Sequence, residues 1–176
     1  MPRKVQVLGA KELNRLVERL ASRVLRRVRG TRSVVLIGIK TRGEFLARRI
    51  AVFLSKRMKI EIGTVDIRLY RDDLNVLQRE LLIGKSDIPF DLNDKTVVLV
   101  DDVLFTGRTV RAALDQIVDL GRPAIVHLAV LLDRGHREFP ICPTFCGKKI
   151  RTEKGDSVEV RLREKDGRDE AYLIRG

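Results

Sequence analysis

Two adjacent acids, Asp101 and Asp102, directly follow the apolar run Val97-Val98-Leu99-Val100, and Thr106-Gly107-Arg108-Thr109 comes shortly after them. Carboxylates at the end of a buried strand are costly unless hydroxyls, cations or a metal meet them. Gly107 lets a backbone approach closely, and Thr106 and Thr109 bring hydroxyls. A helix starting near Thr109 offers unbonded N–H groups at the positive end of its dipole. Carboxylates suited to sugar hydroxyls, beside a cradle suited to phosphate, describe a site for a sugar phosphate. P-loop nucleotidases share the apolar strand with acids, but they also need G-x4-G-K-[ST], which this sequence lacks. No G-x-G-x-x-G follows a strand either, which removes a dinucleotide fold. A threonine that merely caps a helix explains the turn but not the paired acids.

The elements that must position these residues read as alternating strands and helices. From Ala10 to Arg29, Leu13, Leu16, Val17, Leu20, Val24 and Val28 recur at three- and four-residue steps, one buried helical face ended by Gly30. Arg15, Arg19 and Arg23, with Arg26 and Arg27 a turn beyond, form an arginine ridge away from that face. Val34–Ile39 predicts a strand buried on both sides, leading through Lys40-Thr41-Arg42-Gly43 into a helix from Glu44 to about Leu54. Ile60–Leu69 predicts another strand, and the weakly patterned stretch from Tyr70 to Asp94 a mobile loop or flap. Thr96–Val100 and Ala124–Leu132 predict strands, with a helix over Thr109–Leu120 between them. From Asp133 the chain turns irregular, with short strand candidates at Ser157–Leu162 and Ala171–Ile174. The alternation predicts an α/β fold with a parallel sheet, and the acids lie at its carboxyl edge, where such sheets bind ligands.

The bulk numbers narrow the class. With 176 residues, 44% hydrophobic and 34% charged, the chain fits one globular domain. No apolar run approaches the ~20 residues of a membrane span, and the N-terminal apolar stretch is too short for a signal peptide, which predicts a cytoplasmic protein without membrane association. Cys142 and Cys146 read as reduced thiols, since the only histidines to join them in a zinc site are His127 and His136. The formal charge of +12 favours phosphorylated substrates or nucleic acid, and residues 1 to 30 alone hold nine basic residues against two acidic ones.

The segment Val97–Val110 resembles the phosphoribosyl pyrophosphate signature of type I phosphoribosyltransferases: hydrophobic run, two acids, T-G-x-T loop. Three further stretches narrow the resemblance to the bifunctional pyrimidine operon regulators with uracil phosphoribosyltransferase activity. They are Ile37-Gly38-Ile39-Lys40-Thr41-Arg42-Gly43, Tyr70-Arg71-Asp72-Asp73-Leu74 and Leu132-Asp133-Arg134-Gly135-His136-Arg137-Glu138. The similarity covers nearly the whole chain, thinning between Asn75 and Lys95 and after Arg151.

The resemblance implies a type I phosphoribosyltransferase fold. That fold has a central, mostly parallel twisted sheet flanked by helices, a flexible loop about 70–90, and a small hood about 133–151 plus C-terminal strands. It implies transfer from 5-phosphoribosyl 1-pyrophosphate to uracil, giving UMP and pyrophosphate, with Mg2+ held mainly through the substrate. Asp101, Asp102, Arg71 and Lys40 would be catalytic. Val103, Leu104, Phe105, Thr106, Gly107, Arg108 and Thr109 would hold ribose and phosphate. Lys40, Thr41, Arg42 and Gly43 would hold pyrophosphate, Arg71 would close over it, and Asp133 and Arg134 are candidates for the base pocket. The family also binds a hairpin in the leader of pyrimidine-gene messenger RNA, with UMP or UTP as co-ligand, as a homodimer or higher assembly. Arg19, Arg27, His136 and Arg137 stand at matching places. The alternative is a purine or other nucleobase phosphoribosyltransferase without an RNA partner.

Overall fold

The computed structural model describes residues 3–67 and 86–176. Its elements are β1 (Arg3–Leu8), α1 (Ala10–Val28), β2 (Val34–Ile39), α2 (Arg42–Leu54), β3 (Glu61–Val65), β4 (Thr96–Leu104), α3 (Arg108–Leu120), β5 (Ile125–Asp133), β6 (Phe145–Lys149), β7 (Ser157–Arg161), the short α4 (Arg163–Asp166) and β8 (Glu170–Arg175). Five strands form an all-parallel sheet in the order β3-β2-β4-β5-β6, so β4 with its acids is central. Parallel strands covered on both faces are apolar throughout, and β2 is buried at every position.

Two cores sandwich this sheet. On one face α1 and α2 pack Leu13, Leu20, Leu46 and Ile50 against Val98, Val100 and Leu131. On the other, α3 packs Val110, Ala113 and Ile117 against Val97, Leu99 and Val130, together with Leu92. The small β1-β8-β7 sheet is antiparallel and joins the first core through Leu8, Val160 and Ala171.

The short α4 and the turn to β8 are tied down by ion pairs rather than apolar packing. The Arg49 guanidinium of α2 grips Glu164 at 2.6 and 2.8 Å and Asp169 at 2.6 and 3.2 Å. Asn14 of α1 joins at 3.3 Å from Asp169. Bonding to Glu164 in particular holds the Arg49 proton more firmly than in free arginine. Arg42, at the start of α2, is bound by both oxygens of Asp166 at 2.9 and 3.1 Å.

Several boundaries differ from the sequence reading. β4 runs on through the acids to Leu104 instead of ending at Val100, because β5 keeps pairing with it up to Leu104 opposite Asp133. The strand expected over Ile60–Leu69 ends at Val65 among the described residues. β1 was not foreseen, since its first four residues are exposed without alternation and its partner β8 lies at the far end of the chain. Phe145–Lys149, expected within the hood, is the edge strand of the main sheet, paired with β5. Tyr70–Leu74, Arg71 included, and most of the expected loop lie outside the described residues.

Candidate active site

The carboxyl edge of the sheet gathers the predicted chemistry. Asp101 is 6% exposed, Asp102 is half-buried, and the Asp102 N–H donates to Asp101 Oδ1 at 2.9 Å. Burial, and then the neighbouring Asp102 charge, push the Asp101 carboxyl well above its ordinary pKa. Side-chain alternation slips by one across the acids: Val98, Val100 and Val103 pack with one core, Val97, Leu99 and Leu104 with the other.

After β4 the chain turns through Phe105-Thr106-Gly107 into α3. Gly107 is left-handed, with φ 91°, which a side chain would strain. Thr106 Oγ1 accepts the Arg108 N–H at 3.3 Å, keeping its own hydrogen free to donate. The first α3 bond runs from the Arg111 N–H to the Gly107 carbonyl at 2.9 Å, so the N–H groups of the first turn face outward. An anion is the natural partner of such a turn. The Arg108 side chain itself pairs with Glu138 at 2.7 Å.

The Lys40–Gly43 loop lies against the acids. The Lys40 N–H donates to the Val65 carbonyl at 2.9 Å, and the Lys40–Thr41 peptide is cis. Gly43 presses its backbone on β4: a Cβ built on it would sit 3.3 Å from the Asp101 Cα and inside contact distance of the Val100 carbonyl oxygen. The two loops thus share one rim. The Arg42 guanidinium is engaged by Asp166.

The segment after β5 is fastened to the Phe105–Gly107 turn. Arg137 donates to the Phe105 carbonyl at 2.7 Å, the Ile141 carbonyl at 2.9 Å and Asp133 Oδ2 at 2.7 Å. The N–H groups of Glu138 and Phe139 donate to the Thr106 carbonyl at 2.9 and 3.1 Å, and that of Arg134 to the Leu104 carbonyl at 3.0 Å. The Arg134 guanidinium stacks 3.8 Å over the Phe105 ring, 6% exposed, where burial lowers its pKa despite nearby Asp156. Asp133 and Arg134, predicted for the base pocket, therefore use their side chains to hold this segment.

The four predicted RNA contacts come from two parts of the chain, α1 and the segment after β5. Arg19 and Arg27 are exposed on α1, and burial with the Arg27 charge lowers the pKa of His127 near the start of β5. His136 and Arg137 follow the other end of β5, where His136 Nε2 lies 2.7 Å from the Thr152 carbonyl. Sequence reading missed Asp166 and Phe139, which carry no motif and gain meaning only from the loops they touch, and it gave Glu138 no role. Cys142 and Cys146 are free thiols, and no described helix is long and apolar enough to cross a membrane.

Comparison with known proteins agrees with this geometry. Residues 6–165 match the phosphoribosyl transferase domain model. Bifunctional protein PyrR of Chloroflexus aurantiacus is 53% identical over 97% of this chain and 95% of its own. The PyrR of Deinococcus radiodurans is 48% identical over 97% and 94%, and that of Listeria welshimeri 46% over 99% and 98%. Among solved structures, hypoxanthine phosphoribosyltransferase of Trypanosoma cruzi superposes with a TM-score of 0.74 at 15% identity, covering 97% of this chain and 95% of that one. The hypoxanthine-guanine enzyme of Bacillus anthracis gives 0.70 at 18%, covering 97% of each. At such identities these two likenesses speak for the fold alone. By domain match and by full-length identity, the chain belongs to the phosphoribosyltransferase family and, within it, to the bifunctional PyrR proteins.

Proposed function

We propose that this protein transfers the phosphoribosyl group of 5-phosphoribosyl 1-pyrophosphate to uracil, and that it also regulates pyrimidine genes by binding their leader RNA. The observation that carries the catalytic half is the shared rim: Asp101-Asp102, the Gly107 turn and Gly43 meet at the carboxyl end of β4. The first turn of α3 and Thr106 take the 5-phosphate. Asp101 and Asp102 take the ribose hydroxyls. Lys40 and the Lys40–Gly43 backbone take pyrophosphate, and Arg71 closes over it.

Departure of pyrophosphate leaves positive charge on the sugar ring, and fixed carboxylates beside it stabilise that state more than the ground state. Hydroxyl donors and growing positive charge both favour ionised Asp101, whose proton burial otherwise retains. Among the described residues no group of three His, Cys, Asp or Glu side chains could cage a metal. The half-buried Asp102 with substrate oxygens fits Mg2+, which binds through one or two carboxylates plus phosphates and keeps several waters. When bound, Mg2+ supplies charge neutralisation on the leaving diphosphate. A panel of bases tests the assignment: uracil should turn over, whereas turnover of hypoxanthine or guanine without uracil would establish a purine enzyme.

Arg137 positions the phosphate turn. Arg137→Ala should lower kcat/KM for 5-phosphoribosyl 1-pyrophosphate by about tenfold and reduce stability by roughly 1–3 kcal/mol, the range for stranding buried polar partners. Steady-state kinetics beside urea unfolding measure both, and parental kinetics would refute the role.

For regulation, the exposed arginines of α1 bind RNA phosphates in a cytoplasmic homodimer or larger assembly, with UMP or UTP as co-ligand. Arg19→Ala with Arg27→Ala should weaken binding of a pyrimidine leader hairpin, and the slope of log K against log salt should shrink by about 0.9 for each phosphate no longer neutralised. Turnover should stay at the parental rate. Unchanged affinity would leave the ridge a solvated face.

A further inference from the structure

A second cavity, of about 810 Å3, opens where α1 and α2 end, beside the start of β2 and away from the carboxyl edge. Its rim carries Arg26 and Arg29 from the end of α1 and Lys56 and Arg57 just past α2. Phe53 and Met58, half-buried, line it with apolar surface. None of its ten lining residues is acidic. Elsewhere Arg42, Arg48, Arg49, Arg108, Arg111, Arg137 and Arg161 each hold a carboxylate. The four rim cations form no such pair among the described residues.

A helix C-terminus attracts a cation or two through its dipole. Four cations around one cavity with an apolar lining go beyond that, because like charges without counter-ions repel. Cationic rim and aromatic floor together match the two chemistries of a nucleotide, phosphate and base face. The volume also lies within the ~300–1,000 Å3 usual for small-molecule sites.

We propose that this cavity binds a phosphate-bearing nucleotide unit, with its phosphate on Arg29 and Arg57 and its base against Phe53. The unit is either a free nucleotide or an unpaired nucleotide of an RNA strand. The site is separate from the Asp101-Asp102 rim and requires neither the transfer reaction nor RNA binding by Arg19 and Arg27.

The test uses the full-length protein with its cleft saturated by Mg2+ and 5-phosphoribosyl 1-pyrophosphate. Two fluorescent probes are titrated, an N-methylanthraniloyl ATP and a labelled decauridylate. Arg29→Ala with Arg57→Ala should weaken binding at least tenfold, and for the oligonucleotide should reduce the salt slope by about 0.7, the value for one single-strand phosphate. Phe53→Leu should weaken binding about threefold or more without altering the slope. Loss confined to decauridylate identifies an RNA strand as the source; loss that includes the ATP probe identifies a free nucleotide. Uracil turnover reports folding, and Arg57→Gln alone replaces the double variant should turnover fall. A parental protein that binds neither probe overturns the proposal, as do variants that bind both probes normally. An unaffected Phe53→Leu protein overturns the nucleotide assignment, leaving a bare anion patch.

Discussion

Asp102→Asn is expected to lower UMP formation by about two to three orders of magnitude, the loss typical when one preorganised electrostatic group is removed from a transition state. The amide keeps the size of the carboxylate and removes only its charge, so the melting temperature should hardly move. Asp101→Asn should cut turnover comparably, yet stabilise the fold. The Asp101 carboxyl is raised by burial and by Asp102, so the folded protein retains this proton more tightly than the unfolded chain. Stability linked to it is fully present below the ordinary carboxylate range and declines as pH rises through the raised value. An asparagine has no proton to lose, and its oxygen can still accept the Asp102 N–H. Near neutral pH the variant should therefore melt a few degrees higher, and the difference should vanish below about pH 4. Kinetics and thermal melts at both pH values check this. Parental turnover in both variants would remove the acids from the chemistry.

Gly43→Ala is the second large effect. Its added methyl has no space beside the Val100 carbonyl, and the Asp101 Cα stands 3.3 Å away. Backbone must yield, either by lifting the Lys40–Gly43 loop or by bending β4 at the acids. A misplacement of about 1 Å at a reacting centre can lower rate some hundredfold, and overpacking a buried contact costs about 1–3 kcal/mol. Gly155→Ala is the control, since a Cβ there meets nothing within 4 Å. We expect kcat/KM for 5-phosphoribosyl 1-pyrophosphate to fall about a hundredfold in the first protein and to hold in the second. Equal kinetics would mean that the two loops act independently.

Much of this rim was legible in the sequence. The strand-to-acid-to-glycine order of Val97–Thr109 declares its chemistry locally, because each step is a short-range rule about burial, backbone freedom and helix ends. The parallel sheet followed from apolar runs such as Val34–Ile39, buried at every position. What escaped depends on distant partners. Nothing in Arg3–Leu8 announces a strand until Glu170–Arg175 pairs with it. Phe145–Lys149 reads as irregular, having two lysines and a glycine, and becomes a strand only because β5 offers an open edge. The partners of Arg42 and Arg134, Asp166 and Phe105, are set by the fold. A cation's type is local, but its counterpart is a matter of topology.

The fastening of Arg137 to the Phe105 carbonyl also bears on genetics. A selection for derepressed pyrimidine genes would recover alleles at Arg137 together with alleles along α1, and phenotype alone would sort them as one class. Supplying uracil at limiting concentration to a strain that depends on salvage would separate them: α1 alleles should grow as the parent does, and Arg137 alleles more slowly.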